Sequence, residues 1–136
     1  MLILDEQLQN PDIIVAIEKW YPGAVTHILR LRPNSVIKDD NIATLLHAAQ
    51  RPTFVTINVN DFWRKIQAHS SYCIIAMAIH QDEWPKVSTI LRSVLNIPQL
   101  KTRANRMGKV ILARESGLKY YEENNQVYDL PGIEKG

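Results

Sequence analysis

The chain has 136 residues, of which 46% are hydrophobic, so it is long enough to bury one sizeable core and too short to require a second domain. No stretch approaches the roughly 18 consecutive apolar residues of a membrane span, and Leu2-Ile3-Leu4 runs straight into acid without a basic leader, so a cytoplasmic, membrane-free protein is expected. A single cysteine, Cys73, excludes an internal disulfide and a cysteine-based zinc site, and its apolar surroundings from Tyr72 to Ile79 predict a buried, inert thiol. The net charge of +2 identifies no class of partner, so the distribution of charge has to be followed along the chain.

Leu2 to Leu4 suits a short buried strand that ends on Asp5 and Glu6. Asn10, Pro11 and Asp12 then supply an N-cap, a first-turn proline and a first-turn acid, and Ile13, Ile14, Ile17 and Trp20 recur at helical spacing. Tyr21-Pro22-Gly23 stops this helix before a second strand, from Ala24 to about Leu31. Beyond a loop at Arg32-Pro33-Asn34, Asp39 or Asp40 caps a helix whose apolar face is Ile42, Leu45, Leu46 and Ala49.

The β-branched run Thr53 to Val59 predicts a third strand, and Asn60 or Asp61 would cap a short helix carrying Phe62, Trp63 and Ile66. Tyr72 to Ile79, apolar throughout, predicts a central fourth strand. Asp82-Glu83-Trp84-Pro85 opens the strongest helix, with Val87, Ile90, Leu91, Val94 and Leu95 on one face, and it closes near Asn96-Ile97-Pro98. This alternation predicts a mainly parallel sheet with helices on both faces. From Lys101 the pattern changes. Lys109 to Ala113 and Leu118 to Tyr121, joined through Glu115-Ser116-Gly117, predict a β-hairpin appended to the core, with a polar tail at Asn124-Asn125. The expected organisation is one domain over 1–136, an α/β core in 1–98 and the hairpin and tail in 101–130.

In an open α/β sheet the chemistry collects at the carboxyl ends of the strands. Asp5 and Glu6 follow the first strand, Asn58, Asn60 and Asp61 follow the third, and Asp39 and Asp40 start a helix leading towards it. Carboxylates converging without paired bases repel one another, and Mg²⁺ or Mn²⁺ would remove that cost while activating water against a phosphodiester. Asp39, Asp40 and Asp61 also have a plain alternative role as N-caps, whereas Asp5 needs a partner for its buried carboxylate. Glu6 suits a solvated surface. His27, His47, His69 and His80 lie on different elements without metal-ligand spacing, so no chemistry is assigned to them.

Leu4-Asp5-Glu6-Gln7-Leu8 resembles the LDENL opening of PIN-like proteins of the Mut7-C-like group, thought to be toxins of bacterial toxin–antitoxin pairs. Asp39-Asp40-Asn41-Ile42 resembles that group's acidic helix start, and Val55-Thr56 through Asp61-Phe62 its VT-x-D-x-DF segment. The likeness covers about residues 1 to 96. It implies a PIN-like three-layer α/β/α sandwich, metal-dependent ribonuclease chemistry at Asp5, Asp39 and Asp61, and a cognate antitoxin as partner. The chain departs from the family at Thr56-Ile57-Asn58-Val59-Asn60-Asp61, which is one residue longer and carries asparagine in place of the first aspartate. The implied metal ligands are therefore Asp5, Asp39, Asn58 and Asp61, with Asn58 contributing oxygen but no charge.

Lys101, Arg103, Arg106, Lys109 and Arg114 form a basic stretch, within which Arg103, Arg106 and Lys109 are candidate contacts to RNA phosphates, against the commoner reading of a solvated face. Tyr120, Tyr121 and Tyr128 suit a sealed hairpin or a homodimer contact better than base stacking. A PIN-like binding protein without catalysis is the alternative to the enzyme. A receiver-type phosphoacceptor ranks last, because Asn58 stands where its aspartate would be.

Overall fold

The computed structural model describes residues 1–30, 39–114 and 117–130, the side chains of 39–41 excepted. Loop residues Leu31 to Pro33 and the hairpin residues Glu115 and Ser116 lie outside the described residues. The first strand, β1 (Leu2–Leu4), is followed by a 3-10 turn (Glu6–Leu8) and helix α1 (Pro11–Glu18), whose start is fixed by Asn10 accepting the Asp12 amide at 2.9 Å. Strand β2 (Val25–His27) is shorter than its sequence suggested, because the chain turns into a 3-10 segment (Ile28–Arg30) that buries Ile28.

Helix α2 (Asp39–Ala48) leads to β3 (Thr53–Thr56), which stops three residues before the expected Val59. The reason is local: the Thr56 hydroxyl accepts the Asn58 amide at 2.9 Å, and this side-chain turn diverts the backbone into the short helix α3 (Val59–Phe62). Asn58 therefore occupies the N-cap position, and Asp61 sits inside the first turn rather than capping it. Strand β4 (Cys73–Met77) is buried along its whole length, as its apolar run predicts. A 3-10 segment (Gln81–Lys86), opened by Glu83 accepting the His80 amide at 3.0 Å and containing Pro85, delays α4 until Val87–Leu95.

A further turn of helix, α5 (Arg103–Arg106), precedes β5 (Val110–Arg114), β6 (Gly117–Tyr121) and β7 (Val127–Leu130). Gly108, at φ +86°, makes the left-handed turn into β5. Here the structure corrects the appended hairpin. Strand β5 pairs in parallel with β4, Ile74 opposite Val110, so α4, α5 and β5 complete another βα crossover within the main sheet. Strand β6 then pairs antiparallel with β5, and the segment read as a polar tail adds β7 antiparallel to β6.

The seven strands lie in the order β2-β1-β3-β4-β5-β6-β7, with β2 through β5 mutually parallel. Both faces of the sheet are covered. Leu4, Ile13, Ile17, Leu91 and Val94 build the core on the face of α1 and α4, while Ile3, Ile42, Leu46, Phe54 and Phe62 build it on the face of α2 and α3. The chain is thus an α/β fold with a mostly parallel sheet. Its order reverses direction between β1 and β3, and at such a switch point the two crossovers leave on opposite sides and open a crevice beyond the carboxyl ends of the strands.

Candidate functional site

The register pairs Leu4 with Val55, which brings Asp5 beside Thr56 at that reversal. Asp5 is only 4% exposed. Its backbone amide donates to the Val55 carbonyl at 2.9 Å, holding the two strand ends together. One carboxylate oxygen accepts the Glu6 amide at 2.8 Å, and the other accepts the Thr56 hydroxyl at 2.6 Å, the short separation of a hydroxyl bound to an anion. Thr56, fully buried, in turn accepts the Asn58 amide, and the Asn58 side-chain nitrogen donates to Asp61 at 2.6 Å. A continuous network therefore runs from buried Asp5 to exposed Asp61.

Electrostatically this network is unbalanced. Burial pushes the Asp5 carboxyl above its ordinary range, and the bonds from Thr56 and Glu6 oppose that shift, while the charges of Glu6 and Asp61 add to it. Among the described residues neither Asp5 nor Asp61 has a Lys, Arg or His nitrogen within 4.0 Å. Nor do three or more His, Cys, Asp or Glu groups among them gather as a metal cluster. The described donors are two carboxylates and the Asn58 amide oxygen. A set of oxygens this sparse suits Mg²⁺, which keeps several waters and takes one or two carboxylates, and lacks the nitrogen or sulfur ligands preferred by zinc.

Beyond Asn58 lies an open cleft of about 420 Å³ at the ends of β3 and β4. Gln7, Asn60, His80 and Gln81 line it with hydrogen-bonding groups, and Ile57 and Ile79 give it apolar walls. On the other side, His27 stands opposite Leu4 in the register; its Nδ1 is buried and has no hydrogen-bond partner among the described residues, and burial, then Arg30, holds the imidazole below its usual pKa.

Of the residues singled out from sequence, Asp5, Asn58 and Asp61 come together through Thr56, which sequence reasoning passed over. The signal for it was a threonine ending an apolar strand two residues before an asparagine. Asp39 is the first residue of α2, and its side chain, like that of Asp40, lies outside the described residues. Arg103, Arg106 and Lys109 precede β5 and lie at the amino-terminal edge of the parallel strands, opposite Asp5. Arg106 is 4% exposed and donates to Thr53 Oγ1 and to the carbonyls of Leu100 and Lys101, so it braces the crossover. Lys109 donates to the Asn105 carbonyl and lies 5.6 Å over the Tyr120 ring. Two of the apparently scattered histidines meet at this edge as well, His47 and His69 having ring centroids 4.2 Å apart, with the Ser71 hydroxyl bonded to both.

Comparison with protein-family models, curated proteins and solved structures finds no match to this chain.

Proposed function

We propose that this chain is a metal-dependent ribonuclease with a PIN-like fold, acting as the toxin of a toxin–antitoxin pair. The observation that carries the reading is a buried carboxylate, Asp5, at the switch point of the sheet, joined through Thr56 and Asn58 to a second carboxylate and balanced by no cation among the described residues. The motif order from Asp5 through Asp39 to Asp61 supports the family assignment. A buried charge of this kind is retained against its cost where it serves binding or catalysis.

Asp5 and Asp61 would hold Mg²⁺ or Mn²⁺, with Asn58 as a neutral oxygen donor, and the family resemblance adds Asp39, the first residue of α2. When bound, the ion supplies a water of lowered pKa and polarises a phosphoryl oxygen. Thr56 and the Glu6 amide fix the Asp5 carboxylate in one orientation, each of its oxygens accepting one hydrogen bond. Asn58 orients Asp61. The uncharged polar groups of the adjoining cleft, Gln7, Asn60 and Gln81, offer hydrogen bonds to a single strand without repelling its phosphates.

The test is cleavage of single-stranded RNA across Mg²⁺ and Mn²⁺ concentrations, with Asp5→Asn as the control for contaminating nuclease. Cleavage by the wild type that disappears in Asp5→Asn and on chelation is expected. The neutral Asn58 favours a second reading, a PIN-like protein that engages RNA or a protein partner without cutting. No cleavage by the wild type or by Asn58→Asp, under any metal condition, would leave that reading in place of the enzyme.

A further inference from the structure

A second cavity, of about 520 Å³, opens at the amino-terminal edge of the sheet, on the opposite side from Asp5. Its walls come from the segment after α1, the end of α4 and the segment around α5. Lys101, Arg103 and Arg106 supply cationic side chains beside the Met1 α-amino group, Trp20 and Tyr21 supply rings, and none of the described residues lining it is acidic.

Arg106 makes this cavity more than a basic surface. Its guanidinium is almost wholly buried, yet Nε and Nη1 bond only neutral oxygens, and Nη2 has no acceptor among the described residues. No described carboxylate lies within 4.0 Å of it. A buried cation is expensive unless an anion balances it, and the two N–H groups left on Nη2 suit a phosphate oxygen. Arg103 and Lys101, both exposed, stand at the mouth to add charge. The aromatic wall is held rigidly: Trp20 Nε1 donates to Ser88 Oγ at 2.8 Å, and the Trp20 and Tyr21 rings meet edge to face at 6.0 Å. Rings fixed in this way favour a flat ligand, because stacking then costs no further ordering.

From this juxtaposition we infer a binding site for a nucleoside monophosphate, its phosphate on Arg106 and Arg103 and its base against Trp20 and Tyr21. The cavity volume falls within the range for a small ligand. The inference is independent of the acidic crevice.

Calorimetric titration with adenosine 5′-monophosphate, inorganic phosphate and adenosine tests it. The nucleotide is expected to bind the wild type at least about 10-fold more tightly than phosphate or adenosine alone. Arg103→Gln, a substitution on the exposed rim that leaves the core intact, is expected to weaken nucleotide binding at least fivefold, about 1 kcal/mol. Tyr21→Ala is expected to bring the affinities for nucleotide and phosphate together. Asp5→Asn, at the other edge, is expected to bind the nucleotide as the wild type does. Absence of nucleotide binding, equal affinity for nucleotide and phosphate in the wild type, indifference to Arg103→Gln, or loss of binding in Asp5→Asn would each overturn the assignment.

Discussion

Thr56→Val isolates the hydrogen bond on which the acidic network hangs. Valine keeps the volume of this fully buried side chain and removes the hydroxyl that donates to Asp5 at 2.6 Å and accepts from the Asn58 amide at 2.9 Å. A bond to a charged group contributes about 1.5–3 kcal/mol, and an amide left without a partner in a half-buried position costs about 1 kcal/mol more. The sum is about 2.5–4 kcal/mol at pH 7, equivalent to a fall in Tm of roughly 10–15 °C for a chain of 136 residues. The pH dependence identifies the source. Thr56 is one of the two groups holding the raised Asp5 pKa down, so its loss raises that pKa further, and ionised Asp5 then suffers most at neutral pH. As pH falls through the raised folded pKa of Asp5, the carboxyl takes up its proton, the lost bond becomes one between neutral groups, worth about 0.5–1.5 kcal/mol, and the difference between the two proteins shrinks. Urea unfolding of both proteins at pH 7 and pH 4 measures it. A destabilisation under about 1 kcal/mol at pH 7, or one equal at both pH values, would refute the reasoning.

Asp5→Asn should stabilise the metal-free protein at pH 7. A carboxyl whose pKa is raised on folding contributes stability that is complete below its unfolded value of 3.8 and is lost as pH rises through the folded value, so denaturation curves of the two proteins should converge in acid. The same substitution should weaken Mg²⁺ or Mn²⁺ binding by at least about 10-fold in calorimetric titrations, since even outer groups around a metal matter that much. Asn58→Asp adds a negative ligand beside Asp5 and Asp61; we expect divalent-ion affinity to rise about 10-fold or more and metal-dependent RNA cleavage to rise with it, while thermal unfolding without metal shows lower stability. Leu91→Ala empties a fully buried position between α4 and the sheet and should cost about 2–5 kcal/mol in chemical denaturation without altering metal affinity.

What could be read in advance follows from where the determinants lie. The strands β1 and β4 are apolar on both faces, and α1 carries its cap, its proline and its apolar stripe within a few residues, so local pattern sufficed. The convergence of Asp5 with Asn58 and Asp61 was legible too, because βα order alone sends the ends of β1 and β3 to one edge. The early end of β3 was not, since β-branched residues continue through Val59 and only the Thr56 hydroxyl turns the backbone. Strand β5 reads equally well as half of an isolated hairpin; its parallel pairing with β4 depends on residues 36 positions apart in the register, Ile74 and Val110. Arg106 stood among other bases in sequence, and its burial depends on Thr53, 53 residues earlier.

The central claim, that one divalent ion is held between the ends of β1 and β3, is tested most directly by adding substoichiometric Mn²⁺ to the ¹⁵N-labelled protein and recording which amide signals broaden. Paramagnetic broadening falls steeply with distance from the ion. With the ion at that position the Asp5, Glu6, Asn58 and Asp61 amides are lost first, signals from Arg103 and Arg106 at the far edge stay sharp, and Asp5→Asn shows no selective loss. Broadening centred elsewhere, or uniform and unchanged by Asp5→Asn, would contradict it.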